Sequence, residues 1–301
     1  MDRRAIRGSL LLLLGTVIWG TAFAAQRAGM SHMQPMSFSG VRMLLAALVM
    51  IPVALYSEKR AAGEGKKTDP ALQRKAGIIC GLLLFAATAC QQIGIADTDA
   101  GKAGFLTALY VVLVPVAGLV FFRKNPGKVI WIGVGLALVA LYLLCVPEDG
   151  YRIEKGDLLL IACAMCFTAQ ILFVDRYAPR VNAAALARDE FLVTGGLSLL
   201  IALFTETITL DGIRAAVIPI LYTGLLSGAA GYTIQIVGQR HVNPTLASLI
   251  MCLESVFAVI GGAVALGETM SGREAAGCVL MFTAVILAQL SPLFMKKREE
   301  K

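Results

Sequence analysis

The sequence predicts an all-α polytopic membrane protein, and three observations predict it. Of 301 residues, 57 % are hydrophobic and only 16 % are charged, where a soluble domain carries about a quarter. Mean hydropathy is +0.75. Apolar runs of about 20 residues, enough for a helix to cross a hydrocarbon core of about 30 Å, recur along the chain between charges and turn residues. Nothing reads as a strand, and the longest polar break, SEKRAAGEGKKTDPALQRK at 57–75, is a surface loop that hides no soluble domain.

Taken in order, the runs are 9–28, 35–56, 76–95, 100–122, 127–147, 157–174, 187–205, 215–237, 244–267 and 273–294. The first follows a positive start and ends on Ala22 to Ala24, in the manner of a signal peptide, but stays apolar through Ala28 and is read as a retained helix. The second contains Arg42 and the ninth Glu254. The seventh carries Arg188, Asp189 and Glu190 in its first turn, expected at the cytoplasmic mouth near a helix start.

Of the 27 Lys and Arg, all but Arg27, Arg42, Lys102, Arg152, Lys155, Arg214 and Arg273 fall on the side of the N-terminus when the ten runs alternate. That bias is the positive-inside signature and predicts both termini in the cytoplasm. It also accounts for the net charge of +7 without a nucleic-acid partner, for which no binding motif is present.

Seven cysteines lie inside apolar stretches, and Cys163–Cys166 sits mid-run, so neither a disulfide framework nor a redox motif is implied. His32 and His241 fall in loops, leaving no metal site, triad or cofactor site.

A shift of 144 residues lays GIADTDAGKAGFLTALYVVLVPVAG over GQRHVNPTLASLIMCLESVFAVIGG without a gap, matching Gly94 to Gly238, Gly118 to Gly262 and Gly133 to Gly277. Repeats of five spans are odd, so the second copy enters the membrane inverted. The expectation is two five-helix units, residues 1–147 and 148–301, of the kind that alternate access around a midplane site.

These residues resemble the EamA-like branch of the drug/metabolite transporter superfamily. The resemblance rests on WGTAFA at 19–24, the Pro35 to Arg42 spacing, AGKAGFLTALYVVLVPV at 100–116 and NPTLASLIMCLESVFAVIGGAVALGE at 243–268. It implies ten-helix carriers made of two inverted halves, with export as the direction. One departure is Ser255 after Leu253-Glu254, where the family usually has proline.

Glu254, ten residues after Pro244, lies about 15 Å deep, halfway across the core. An ionisable group there marks a functional site by default, the alternative being a neutral or hydrogen-bonded carboxyl that fixes packing. The same shift pairs it with Tyr110. Arg42, seven residues after Pro35, lies about 10 Å deep from the other side. It is read as a counter-ion for Glu254, a receptor for a substrate carboxylate, or a side chain snorkelling to the headgroups. Trp19, Gln91, Gln92, Tyr222, Tyr232 and Gln235 complete the candidate cavity, Gln91 and Gln235 as repeat mates.

The function expected is a secondary transporter of small polar metabolites such as amino acids. Its partners are that substrate and the lipid bilayer, with protons a candidate coupling ion. No phosphate-binding loop is present for ATP. A membrane-embedded enzyme lacks a catalytic cluster, and a passive pore would need polar stripes running the length of several helices.

Overall fold

In the lipid phase a backbone N–H has no water to bond, so an apolar run must satisfy itself as helix. The computed structural model describes residues 3–65, 68–96, 98, 100–123, 125–146, 155–266 and 270–299, and among them no residue is in a strand. Three long helices come first: α1 (Arg3–Met30), α2 (Pro35–Gly63) and α3 (Pro70–Ala96). The fourth run is two helices, α4 (Ala100–Ala108) and α5 (Tyr110–Phe122), followed by α6 (Lys128–Cys145), α7 (Lys155–Tyr177) and α8 (Ala183–Thr205).

A short α9 (Leu210–Ala215) leads into α10 (Val217–Leu221), a π-helical segment (Tyr222–Tyr232) and α11 (Thr233–Gln239), which together form one rod. The ninth run is again two helices, α12 (Pro244–Met251) and α13 (Leu253–Leu266), before α14 (Gly272–Glu299). The expected unit boundary at 147/148 lies outside the described residues.

Among the described residues nine helical stretches are long and apolar enough to cross a membrane, and the protein is a multi-pass membrane protein. The run expected at 187–205 is not among the nine, because Arg188, Asp189 and Glu190 interrupt its apolar character. It is nonetheless the interior of the 23-residue α8, which packs along α2 and α3.

Between helices in lipid there is little hydrophobic drive, so small residues and close backbones hold the bundle together. α2 lies along α8, α3 along α7, α6 along α14, and α1 along α11 and α13. A methyl group placed on Gly277 of α14 would come within 2.8 Å of Leu144 on α6. Two crossings bring backbones together: a methyl group on Gly8 of α1 would come within 2.8 Å of the Gly238 carbonyl oxygen, and one on Gly156 of α7 within 2.5 Å of that of Gly94. Gly118 faces open space, and a methyl group placed there would meet nothing within 4 Å.

Candidate functional site

The helices diverge around a cavity of about 60 Å³, room for a few waters. α1 presents Trp19, Ala22, Phe23 and Gln26 to it at the i, i+3, i+4, i+7 spacing of one helix face. α2 supplies Arg42, α3 Gln91, α4 Thr107 and α5 Tyr110; α7 supplies Phe167 and Ile171. The π segment gives Ser227 and Tyr232, α11 Gln235, α12 Met251 and α13 Glu254.

Two helix interruptions position the polar groups. At Leu109 and at Cys252 the α-helical ladder gives way to i+3 bonds, Val112 N–H to Leu109 O at 3.0 Å and Ser255 N–H to Cys252 O at 3.2 Å. The interruptions face each other: the Cys252 thiol donates to Ala108 O at 3.8 Å. Next to them the Tyr110 hydroxyl donates to Glu254 Oε1 at 3.4 Å. Each of these pairs is separated by 144 residues, so Tyr110 and Glu254, repeat mates in the sequence, meet directly.

Arg42 is 2 % exposed, its guanidinium 5.7 Å from the centre of the Phe38 ring and its Nε without a hydrogen-bond partner. It lines the same cavity as Glu254 but forms no ion pair with it.

On the side of the α11 C-terminus the cavity is floored by aromatic rings and glutamines. Trp19 Nε1 donates to Ser227 O at 3.1 Å, and the Trp19 and Tyr232 rings lie 5.3 Å apart. Gln235 Nε2 donates to Gln170 Oε1 at 3.1 Å and to Gln239 Oε1 at 3.2 Å, and Gln239 Nε2 reaches Ile171 O at 3.4 Å. Beneath them Arg240 donates to Val181 O.

Of the nine residues singled out in the sequence, Trp19, Arg42, Gln91, Tyr110, Tyr232, Gln235 and Glu254 line this cavity. Gln92 and Tyr222 do not. Gln92, one step of about 100° round α3 from Gln91, is fully buried and donates to Met30 Sδ at 3.0 Å. Tyr222 bonds to Thr21 Oγ1 and donates to Ile18 O at 3.2 Å.

Gln26, Thr107 and Ser227 also line the cavity and are not singled out by the sequence. Gln26 could have been found from its place two turns beyond Trp19 on the same face. Glu190, expected at the mouth, is instead fully buried. The reason is the helix start: Asn182 caps α8, accepting from the N–H groups of Ala184 and Ala185 at 3.1 Å, so Glu190 lies two turns inside the helix rather than at its first turn. Its neighbours Arg188 and Asp189 pair at 2.8 Å, with Glu58 3.6 Å from Arg188.

Known proteins are similar to this chain in sequence and in fold. A protein from Archaeoglobus fulgidus named an uncharacterized transporter is 28 % identical over 95 % of this chain and 87 % of its own. A probable amino-acid metabolite efflux pump of Salmonella typhimurium is 25 % identical over 93 % and 94 %. A solved crystal structure shares the fold with a TM-score of 0.78 at 17 % identity, covering 98 % of this chain and 99 % of that one. The model of the EamA-like transporter family matches twice, over residues 6–146 and 154–290. With both halves matched, the chain belongs to the EamA-like transporter family.

Proposed function

We propose that the protein is a secondary carrier that exports small polar metabolites, amino acids among them, by alternating access around the cavity between its halves. The observation that carries this reading is the cavity itself. Both halves line it, and it brings together a carboxyl, a guanidinium, a phenol and amides. Such intramembrane groups are costly unless used.

The reading takes α8 as a tenth span and the two family matches as inverted five-helix repeats, with both termini cytoplasmic. Reciprocal packing supports the repeats: the Gly8–Gly238 crossing of α1 with α11 has its counterpart in the Gly156–Gly94 crossing of α7 with α3. The efflux-pump relative supports amino-acid metabolites as the substrate class. Arg42 then receives a substrate carboxylate, and Glu254, steadied by Tyr110, takes its amino group or exchanges a proton. Trp19, Tyr232, Gln91 and Gln235 shape the remainder.

The test is flux in proteoliposomes. Wild type is expected to give saturable uptake of labelled amino acids without unitary currents, and Glu254→Gln to lose the pH dependence of that flux. Unchanged, pH-insensitive flux in both proteins would remove the proton role. Channel-like conductance would refute the carrier.

A further inference from the structure

The cavity mechanism leaves Glu190 unused. Glu190 is fully buried in α8, and the polar groups beside its carboxylate are the Cys80 thiol and the Gln170 amide. Its position is not arbitrary. RGSLLL at 7–12 and KGDLLL at 155–160 superimpose the start of α1 on that of α7, placing Gly8 on Gly156 and Trp19 on Phe167. The two family matches begin at the same offset, residues 6 and 154. So do α2 after its cap Gln34 and α8 after its cap Asn182. That offset lays Arg42 directly over Glu190, each the eighth residue of its helix. Arg42 reaches the cavity from one end of the bundle; Glu190 is its equivalent, with opposite charge, at the other.

The surroundings of Glu190 lead to the cavity floor. From α3 comes the Cys80 thiol, from α7 the Gln170 amide, from the π segment the Tyr232 phenol, and on its own helix Asp189, which is paired with Arg188. α2, packed along the other side of α8, contributes Arg42, which acts on the same Tyr232 phenol from the far side, and Glu58, which is paired with Arg188. Gln170 Oε1 accepts from Gln235, a cavity residue, while the Gln170 amide faces Glu190 on its other side. A polar path Gln235–Gln170–Glu190 therefore leads from the cavity to this buried acid. Phe191, the next residue, packs on Tyr232 with centroids 6.1 Å apart.

We propose that Glu190 is a proton-binding site in the gate beneath the cavity. It is neutral while that gate is sealed, and it releases its proton to water when the gate opens and the carboxylate is hydrated. This rests on the carrier reading. The sign follows from linkage: the sealed form holds the proton more tightly, so acid pH favours sealing and alkaline pH favours opening.

The chain has two tryptophans. In full-length protein carrying Trp131→Phe and reconstituted in lipid nanodiscs, Trp19, in contact with Tyr232, is the sole reporter. Its emission is expected to show a step on pH titration that disappears in Glu190→Gln and persists in Glu254→Gln. A step that survives Glu190→Gln overturns the proposal.

Should that variant not fold, dicyclohexylcarbodiimide labelling of the wild type decides. The expected result is a Glu190 adduct, identified by peptide mass spectrometry, that falls as pH rises. No adduct at any pH, with Glu254 labelled, overturns the proposal. Neither readout uses transport, so a titrating Glu190 in a protein without saturable flux would sink the carrier reading separately.

Discussion

Replacing Gly156 by alanine should destabilise the bundle by a calculable amount. The new methyl carbon would sit 2.3 Å from Thr98 Oγ1 and 2.5 Å from the carbonyl oxygen of Gly94, where a relaxed C···O contact needs about 3.3 Å or more. Thr98 can turn its hydroxyl away, but the α3 backbone cannot, so α3 and α7 must separate. Overpacking of this kind costs about 1–3 kcal/mol. The helix-propensity gain of alanine over glycine, about 1 kcal/mol in a helix interior, is smaller at the second residue of α7.

The net expectation for Gly156→Ala is a loss of about 1–2 kcal/mol. Gly118→Ala is the control: nothing lies within 4 Å of its added methyl, so it keeps the propensity gain of up to about 1 kcal/mol. At about 2–4 °C per kcal/mol for chains near this size, the two variants should differ by about 2–12 °C. The measurement is thermal unfolding in detergent, followed by fluorescence-detected size-exclusion chromatography. If Gly156→Ala melts level with or above Gly118→Ala, the close crossing of α3 and α7 is not as described and the reasoning fails.

Asn182→Ala removes the acceptor for the Ala184 and Ala185 N–H groups and the donor to Ser57 Oγ at 2.9 Å. A loss of about 1–2 kcal/mol is expected in the same melts, and Asn182→Ser should recover most of it. Trp19→Phe strips the donor from Ser227 O and should cost about 1 kcal/mol while leaving the ring contact with Tyr232. Arg42→Ala should abolish the thermal shift that carboxylate-bearing amino acids give the wild type, about 2.7 kcal/mol at a hundredfold excess over Kd. Equal shifts in both proteins would remove the carboxylate-receptor role.

Much of the architecture was legible because lipid leaves so few options. Long apolar runs had to be helices, and the runs read from the sequence coincide with helical rods at their interiors. What escaped was local. Nothing in the residues marks the interruptions at Leu109 and Cys252, since neither is proline or glycine. They arise from tertiary contact, where Cys252 bonds across to Ala108.

The site was readable where a residue was chemically conspicuous, as with Arg42 and Glu254, or had a repeat mate, as with Gln91 and Gln235. It was unreadable where only the rotation about a helix decides. Gln91 lines the cavity and Gln92 does not, and no feature of two adjacent glutamines distinguishes them. Glu190 is misplaced when α8 is taken to start at its first long apolar run, because the helix starts instead at the capping Asn182.

The π segment at Tyr222–Tyr232 has a consequence of its own. π-helical bonding takes up one more residue per turn than α, and it is rare and concentrated at functional positions. Rewinding even one of its turns to α would leave a residue over and advance everything beyond it by about 100° around the axis. Tyr232 and Gln235, which now face the cavity, would be turned toward neighbouring helices. The π winding thus decides which side chains of this rod face the cavity.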